Sequence, residues 1–83
     1  MAAKVKMYTL STCSHCKATK QFMNDNEVDY EYVDVDLLDG EDRRSIMEEV
    51  KKINSHLSFP TIIIGERIII GFREEEIREV LGL

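Results

Sequence analysis

The sequence predicts an α/β fold in the order strand, helix, strand, helix, strand, strand, helix. Strand-like and helix-like segments alternate at first, and two isoleucine-rich runs around a Gly-led turn then follow. The only two cysteines lie just after the first strand-like segment. A chain of 83 residues has room for one modest core, so we expect a single domain over residues 1–83.

The first part of the chain predicts a strand, a helix and a second strand. Val5–Leu10 alternates and is rich in strand formers. The stretch from Cys13 to about Asn26 has helical spacing, with Thr12 as a suitable N-cap. Tyr30–Val35 is the second strand, and the intervening helix predicts a right-handed parallel crossover between the two strands.

The second part predicts a helix, a hairpin and a final helix. Apolar residues at helical spacing follow Asp39–Asp42 and form a buried stripe: Ile46, Val50, Ile53 and Leu57. Thr61–Ile64 and Arg67–Ile70 flank the turn Gly65-Glu66, and their continuous isoleucines predict strands covered on both faces. Glu74–Leu81 has an apolar side formed by Ile77, Val80 and Leu81, and it stops at Gly82.

Charge and composition narrow the possible partners. The net charge is −5 and one third of the residues are charged, with acids and bases interleaved, so the chain has no basic stripe for nucleic acid. The N-terminal residues lack the apolar run of a signal peptide or membrane span. We therefore expect a soluble, cytoplasmic monomer with no nucleic-acid or membrane partner.

The pair Cys13 and Cys16 is the strongest chemical signal. A reducing cytosol disfavours a permanent disulfide, so the spacing indicates catalysis or metal binding. At a strand-to-helix junction the helix dipole and free N–H groups stabilise a thiolate on Cys13, whereas Cys16 lies a turn further into the helix. The sequence therefore predicts Cys13 as nucleophile and Cys16 as resolving thiol, without metal or organic cofactor, and with Ser14 and His15 as tuning residues.

Pro60 is the only proline, and Phe59-Pro60 precedes the third strand. A lone proline there is often just a turn residue. In this element order, however, the loop returns to the end of the sheet that carries the first helix N-terminus, which predicts that Phe59-Pro60 lies beside Cys13. A cis Phe59–Pro60 bond leaves the Phe59 backbone free to pair with an extended substrate.

The cysteine pair, the proline and the element order together resemble the glutaredoxin family of thioredoxin-fold oxidoreductases, from Val5 to about Leu81. The resemblance implies a four-stranded mixed sheet in order 2-1-3-4 with helices on both faces, and a cis Pro60. It implies reduction of protein disulfides, with glutathione or thioredoxin reductase as electron donor. It also implies that Phe59, Pro60, Gly71 and Phe72 contact substrate or glutathione.

Several positions differ between typical glutaredoxins and the NrdH redoxins of this family. Typical glutaredoxins have Pro-Tyr between the cysteines, a lysine at the place of Leu10, and a glycine pair where this chain has Ile70-Gly71. Gly71-Phe72-Arg73 and Lys17–Lys20 instead look like the NrdH redoxins, which thioredoxin reductase supplies and which deliver electrons to ribonucleotide reductase. An NrdH-like donor is therefore the alternative function.

Two other classes remain as alternatives. One is a structural zinc site formed by Cys13, Cys16, His15 and His56, although no second histidine lies at the usual spacing from His56. The other is a non-catalytic docking module that uses the Phe59-Pro60 loop and Phe72, against which the intact cysteine pair argues.

Overall fold

A computed structural model describes residues 4–83 and contains the predicted elements in the predicted order. The expectation that the N-terminal residues form no signal peptide or membrane span concerns a segment that starts at Met1, so it lies partly outside the described residues. The elements are β1 (Val5–Thr9), α1 (Ser14–Asp25), β2 (Glu31–Asp34), α2 (Gly40–Ile53), β3 (Thr61–Ile64), β4 (Arg67–Ile70) and α3 (Glu74–Leu81). A short 3-10 helix at Val35–Leu37, which the sequence did not predict, follows β2.

The four strands form one mixed sheet in the order β2-β1-β3-β4, which confirms the expected fold class. β1 and β2 are parallel, as the crossover through α1 predicts, whereas β3 is antiparallel to both β1 and β4. Gly65 has a φ of 59° in the β3–β4 turn, a conformation that glycine adopts without strain. Gly82 adopts the left-handed conformation with φ 73° and ends α3.

Two apolar clusters hold the helices against opposite faces of the sheet. The larger joins alternating residues of β1, β3 and β4 to α1 and α3, and its buried members are Val5, Met7, Phe22, Met23, Ile62, Ile64, Ile69 and Ile77. The smaller lies under α2 and is built on Tyr8, Val35 and Val50. Each fully buried large aliphatic side chain contributes roughly 1.5–3 kcal/mol, so the sheet is fixed from both sides.

The prediction that both isoleucine-rich strands are covered on both faces is wrong for β4. Ile68 is 43% exposed and Ile70 is 37% exposed, whereas Ile69 between them is buried. The cluster under α2 draws on β1 and on Val33 and Ile63 of the neighbouring strands, and it does not reach β4 at the sheet edge. None of the helices within residues 4–83 has the length and apolar character needed to span a bilayer.

Candidate active site

At one end of the sheet, residues in or next to all four strands form a row. Thr9 is paired with Asp34 across β1 and β2. Continuing the antiparallel β1–β3 register by one position brings Thr9 opposite Pro60. The Gly71 N–H donates to the Pro60 carbonyl at 2.8 Å, which extends the row to the residue after β4. The loop to α1 leaves β1 at this end, so the cysteines lie at the same end of the sheet as Pro60 and Gly71.

Helix α1 begins one residue later than it would with Thr12 as its N-cap. The Cys13 N–H donates to the Leu10 carbonyl at 3.2 Å and closes a tight turn. The Cys13 carbonyl then accepts from the Lys17 N–H at 3.0 Å, and α1 begins at Ser14. Cys13 itself is therefore the N-cap, and the prediction of Thr12 is wrong because the turn carries Thr12 outside the helix.

The N-cap position favours a negative charge on the Cys13 sulfur. Cys13 is half-buried and makes no full side-chain capping hydrogen bond. Partial burial acts to raise the pKa of its thiol, but the N–H and thiol of Cys16 and the N–H of His15 outweigh it, so the pKa lies below its ordinary value. The charge that forms there faces the unpaired N–H groups of the first helical turn.

Cys16 has the opposite environment on the same helix. Its side chain is fully buried, and the Leu10 N–H donates to its Sγ at 3.4 Å. Burial, together with the hydrogen bond and charge of Cys13, raises the pKa of Cys16 to about 12, while Leu10 and Lys20 oppose the rise. Both cysteines are free thiols in this structure. The pair can therefore hold one exposed thiolate beside one protected thiol.

Lys20 belongs to a partly buried network that the sequence did not predict. Its Nζ lies 2.9 Å from Asp34 Oδ1 and 4.0 Å from the centre of the Tyr32 ring. The hydroxyl of Thr9, a fully buried residue, lies against the same Asp34 oxygen. Lys20 is thus held beneath the cysteine helix, where its charge favours the Cys16 thiolate, rather than presented at the surface like Lys17.

Ser14 and His15 lie in the first turn of α1 with exposed side chains. The contribution of His15 to the lowered pKa of Cys13 comes from its backbone N–H. Substitution of the imidazole leaves that N–H in place, so tuning by the side chains of Ser14 and His15 remains a prediction.

The Phe59–Pro60 bond is cis, as the resemblance implies. Phe59 packs against the cluster under α2, whereas Phe72 packs edge-on against Phe22 of α1, with ring centroids 5.8 Å apart. Pro60 therefore lies inside the row and Gly71 at its β4 end, with Phe59 packed on one face of the sheet and Phe72 on the other. Gly71 has a φ of 88°, which other residues adopt only with strain.

Asn54 braces the loop that leads to Pro60 and is another residue missed at the sequence level. It is the buried C-cap of α2. Its side-chain amide donates to the Ser58 carbonyl at 2.9 Å and to Thr61 Oγ1 at 3.1 Å. The His56 N–H donates to the Asn54 side-chain oxygen at 3.2 Å. An asparagine at a helix end is a recognisable signal, but its partners depend on the fold of the loop.

Metal ligands do not converge in the described part of the chain. Within residues 4–83, no three or more His, Cys, Asp or Glu side chains form a group that fits a metal ion. Cys13, Cys16, His15 and His56 accordingly do not form such a group.

Comparison with known proteins gives one consistent family. The glutaredoxin family model matches residues 5–69, which include the cysteine pair, Pro60, β3 and β4 up to Ile69. An uncharacterized glutaredoxin-like 8.6 kDa protein in the rubredoxin operon of Clostridium pasteurianum is 32% identical over 77 residues, covering 93% of this chain and 96% of its own.

Solved structures agree with this comparison. The methanoredoxin of Methanosarcina acetivorans is 47% identical, with a TM-score of 0.93 over 99% of this chain and 87% of its own. The NrdH-redoxin of Escherichia coli, described as a glutaredoxin-like protein with a thioredoxin-like activity profile, is 28% identical, with a TM-score of 0.72 over 92% of each chain.

Proposed function

The chain belongs to the glutaredoxin family of thiol–disulfide oxidoreductases, and from that premise we propose that it reduces protein disulfides through a Cys13/Cys16 dithiol cycle. The observation that carries the proposal is the opposite surroundings of the two sulfurs: Cys13 is partly exposed at the N-cap of α1, which goes with a lowered pKa, and Cys16 is fully buried, which raises its pKa. Cys13 is the nucleophile because it is the more exposed and more acidic thiol. Cys16 is the resolving thiol.

The first step is attack of the Cys13 thiolate on a substrate disulfide. One substrate sulfur forms a mixed disulfide with Cys13, and the other leaves as a thiolate. Phe59, Pro60, Gly71 and Phe72 are the proposed substrate contacts. The row at the sheet end supports them because Pro60 and Gly71 are hydrogen-bonded there.

In the second step Cys16 reacts, and its pKa is lower at this stage than in the resting protein. Two of the influences that raise the pKa of Cys16 are the hydrogen bond and the charge of Cys13. Both vanish when Cys13 enters the mixed disulfide, so the Cys16 proton passes more easily to the departed substrate thiolate. Cys16 then attacks the Cys13 sulfur, which forms the Cys13–Cys16 disulfide and releases the second substrate sulfur as a thiolate that takes a proton from water. A donor dithiol, or two glutathione molecules, returns two electrons and two protons, and one of those protons leaves to solvent when Cys13 becomes a thiolate again.

We expect the two thiols to ionise in widely separated steps. Thiolate absorbance against pH should show a first step below the ordinary cysteine pKa, and no second thiolate in the neutral range, because the Cys16 pKa is about 12. The rate of attack on a disulfide should rise with pH through the first step and then level off. The Cys16→Ser variant is the control and should keep only one step. A joint step of both sulfurs at the ordinary value would contradict the assignment.

The same titration on His15→Ala isolates the imidazole, because the His15 N–H remains in the variant. We expect the Cys13 pKa to rise. An unchanged curve would make the imidazole a bystander and leave the backbone as the source of the shift.

A second candidate function is an NrdH-like carrier that thioredoxin reductase supplies and that serves ribonucleotide reductase. Gly71-Phe72-Arg73 favours it, as does the likeness to NrdH-redoxin. The side chain of Leu10, at the place of the lysine of typical glutaredoxins, packs with the cluster under α2. It supplies no positive charge for the carboxylates of glutathione.

Reduction of the oxidised protein by two donors separates these candidates. We expect thioredoxin reductase with NADPH to reduce the Cys13–Cys16 disulfide faster than glutathione does. The matched variant Leu10→Lys restores the missing charge and should accelerate reduction by glutathione. Rapid reduction of the wild type by glutathione, with none by the reductase, would exclude the NrdH-like role and leave the dithiol cycle standing.

A further inference from the structure

We propose that Asp36 is a positioning residue for the cysteine pair, because its carboxylate fixes the peptide group that joins Leu10 to Ser11. The inference rests on the proposed roles of Cys13 and Cys16. Asp36 lies in the 3-10 helix after β2, and its side-chain hydrogen bonds are to Ser11 and not to either cysteine. It acts through the loop that carries Cys13.

Both carboxylate oxygens of Asp36 accept hydrogen bonds from this loop. Asp36 Oδ1 accepts from the Ser11 N–H at 2.8 Å, and Oδ2 accepts from the Ser11 hydroxyl. The two residues lie 25 positions apart, so the contact ties the β1–α1 loop to the segment after β2. Both carboxylate oxygens are used on one residue, which fixes the position and the orientation of Ser11.

The Ser11 N–H and the Leu10 carbonyl are opposite ends of one planar peptide group. Asp36 holds the N–H end, and the carbonyl end therefore points the other way, where it accepts from the Cys13 N–H at 3.2 Å. Rotation of this peptide group would break both hydrogen bonds together. The carboxylate thus sets the turn that makes Cys13 the N-cap of α1.

The same segment reaches Cys16. The Leu10 N–H, in the preceding peptide group, donates to Cys16 Sγ at 3.4 Å. Leu10 is therefore a backbone link between the two cysteines, with its carbonyl on Cys13 and its N–H on Cys16. A loop that loosens at Ser11 changes the surroundings of both sulfurs.

The charge of Asp36 and its geometry have separable effects. The hydroxyl and the N–H of Ser11 hold the pKa of Asp36 below its ordinary value, with Arg43 acting in the same direction. Asp36 is therefore a carboxylate at neutral pH. Asparagine keeps an oxygen for the Ser11 N–H and an amide that donates to the Ser11 hydroxyl, but it carries no charge. Alanine removes both contacts.

The test compares Asp36→Ala, Asp36→Asn and the control Asp29→Ala. Asp29 is exposed and precedes β2, whereas Asp36 follows it, so both alanine variants lose one carboxylate beside the same strand. We expect Asp36→Ala to lower the rate of protein-disulfide reduction about 10-fold, chiefly in kcat, because small misplacements of reacting groups are costly. The Cys13 thiolate titration should shift upward. Asp36→Asn should recover most of the rate, and Asp29→Ala should match the wild type.

Either of two results with the Asp36 variants would overturn the inference. One is an Asp36→Ala variant that equals Asp29→Ala in rate and in titration. The other is equal impairment of Asp36→Asn and Asp36→Ala, which would assign the effect to charge. If Asp36→Ala fails to fold, Ser11→Ala carries the test: it removes one contact, keeps the Ser11 N–H, and should lower the rate about fivefold. An unchanged rate in Ser11→Ala would then overturn the inference.

Wild type and Cys13→Ser in the same assay separate this inference from the function on which it rests. A wild type without disulfide reductase activity, or an active Cys13→Ser, would refute the dithiol cycle itself. An active wild type, an inactive Cys13→Ser and an unaffected Asp36→Ala would refute only the role of Asp36.

Discussion

Cys13→Ser is expected to abolish protein-disulfide reduction, with a loss of at least about 10³-fold, because removal of a nucleophile leaves no path through the covalent intermediate. The hydroxyl that replaces the sulfur stays protonated in the pH range where Cys13 is a thiolate. The measurement is steady-state reduction of a protein disulfide with a chemical dithiol as the electron source. The folded state should survive, since Cys13 lies in a surface turn and outside both apolar clusters.

The control for this variant is Gln21→Ala. Gln21 is an exposed residue of the same helix and is not one of the proposed site residues, so its replacement tests a change on α1 without removing a sulfur. Gln21→Ala should retain turnover within about threefold, as surface substitutions usually do. Substantial activity in Cys13→Ser would instead transfer the nucleophile to Cys16 and contradict the assigned order.

Cys16→Ser is expected to stop the cycle halfway. Cys13 can still attack, but the mixed disulfide has no internal thiol to resolve it, so a one-to-one covalent adduct with the substrate protein should accumulate. Turnover on protein disulfides should fall by roughly two orders of magnitude or more, to the rate at which an external thiol releases the adduct. Mass spectrometry under non-reducing conditions measures the adduct, and a chemical dithiol should reverse it.

The double variant Cys13→Ser with Cys16→Ser is the matched control and should trap nothing. Undiminished turnover of Cys16→Ser on a protein disulfide, without adduct, would show that resolution does not use Cys16. Partial destabilisation is a separate effect, because a hydroxyl replaces a fully buried sulfur, and thermal unfolding of the variant measures it.

Much of the fold could be predicted because its signals are local. The Gly65-Glu66 turn and the two isoleucine runs specify the hairpin within a few residues, and its strand boundaries are those predicted. The α3 boundaries followed from the apolar side of the helix and from Gly82. The cysteine spacing in turn indicated thiol–disulfide chemistry, because two cysteines one helical turn apart at the end of a strand are typical of a reactive thiol pair.

The remaining features depend on contacts between distant segments. The link from Asp36 to Ser11 spans 25 residues and exists only because β1 and β2 lie side by side in register. The pair of Lys20 and Asp34 joins α1 to β2 and depends on how the helix lies against the sheet, so the sequence could not distinguish Lys20 from a solvated helix lysine. Thr12 failed as an N-cap because a turn bond to Leu10 decided the helix start. The exposure of β4 escaped prediction because isoleucine runs do not reveal which strand ends the sheet.

The exposed side of β4 has a consequence for solubility. Ile68 and Ile70 lie partly in water on a strand that ends the sheet, and such edges are templates for pairing between chains. Three features oppose that pairing here. The strand has only four residues, and Arg67 begins it with its guanidinium 3.6 Å from Glu76 of α3. The net charge of −5 also makes two copies of the chain repel each other. Charge therefore protects β4 from aggregation where packing leaves it uncovered.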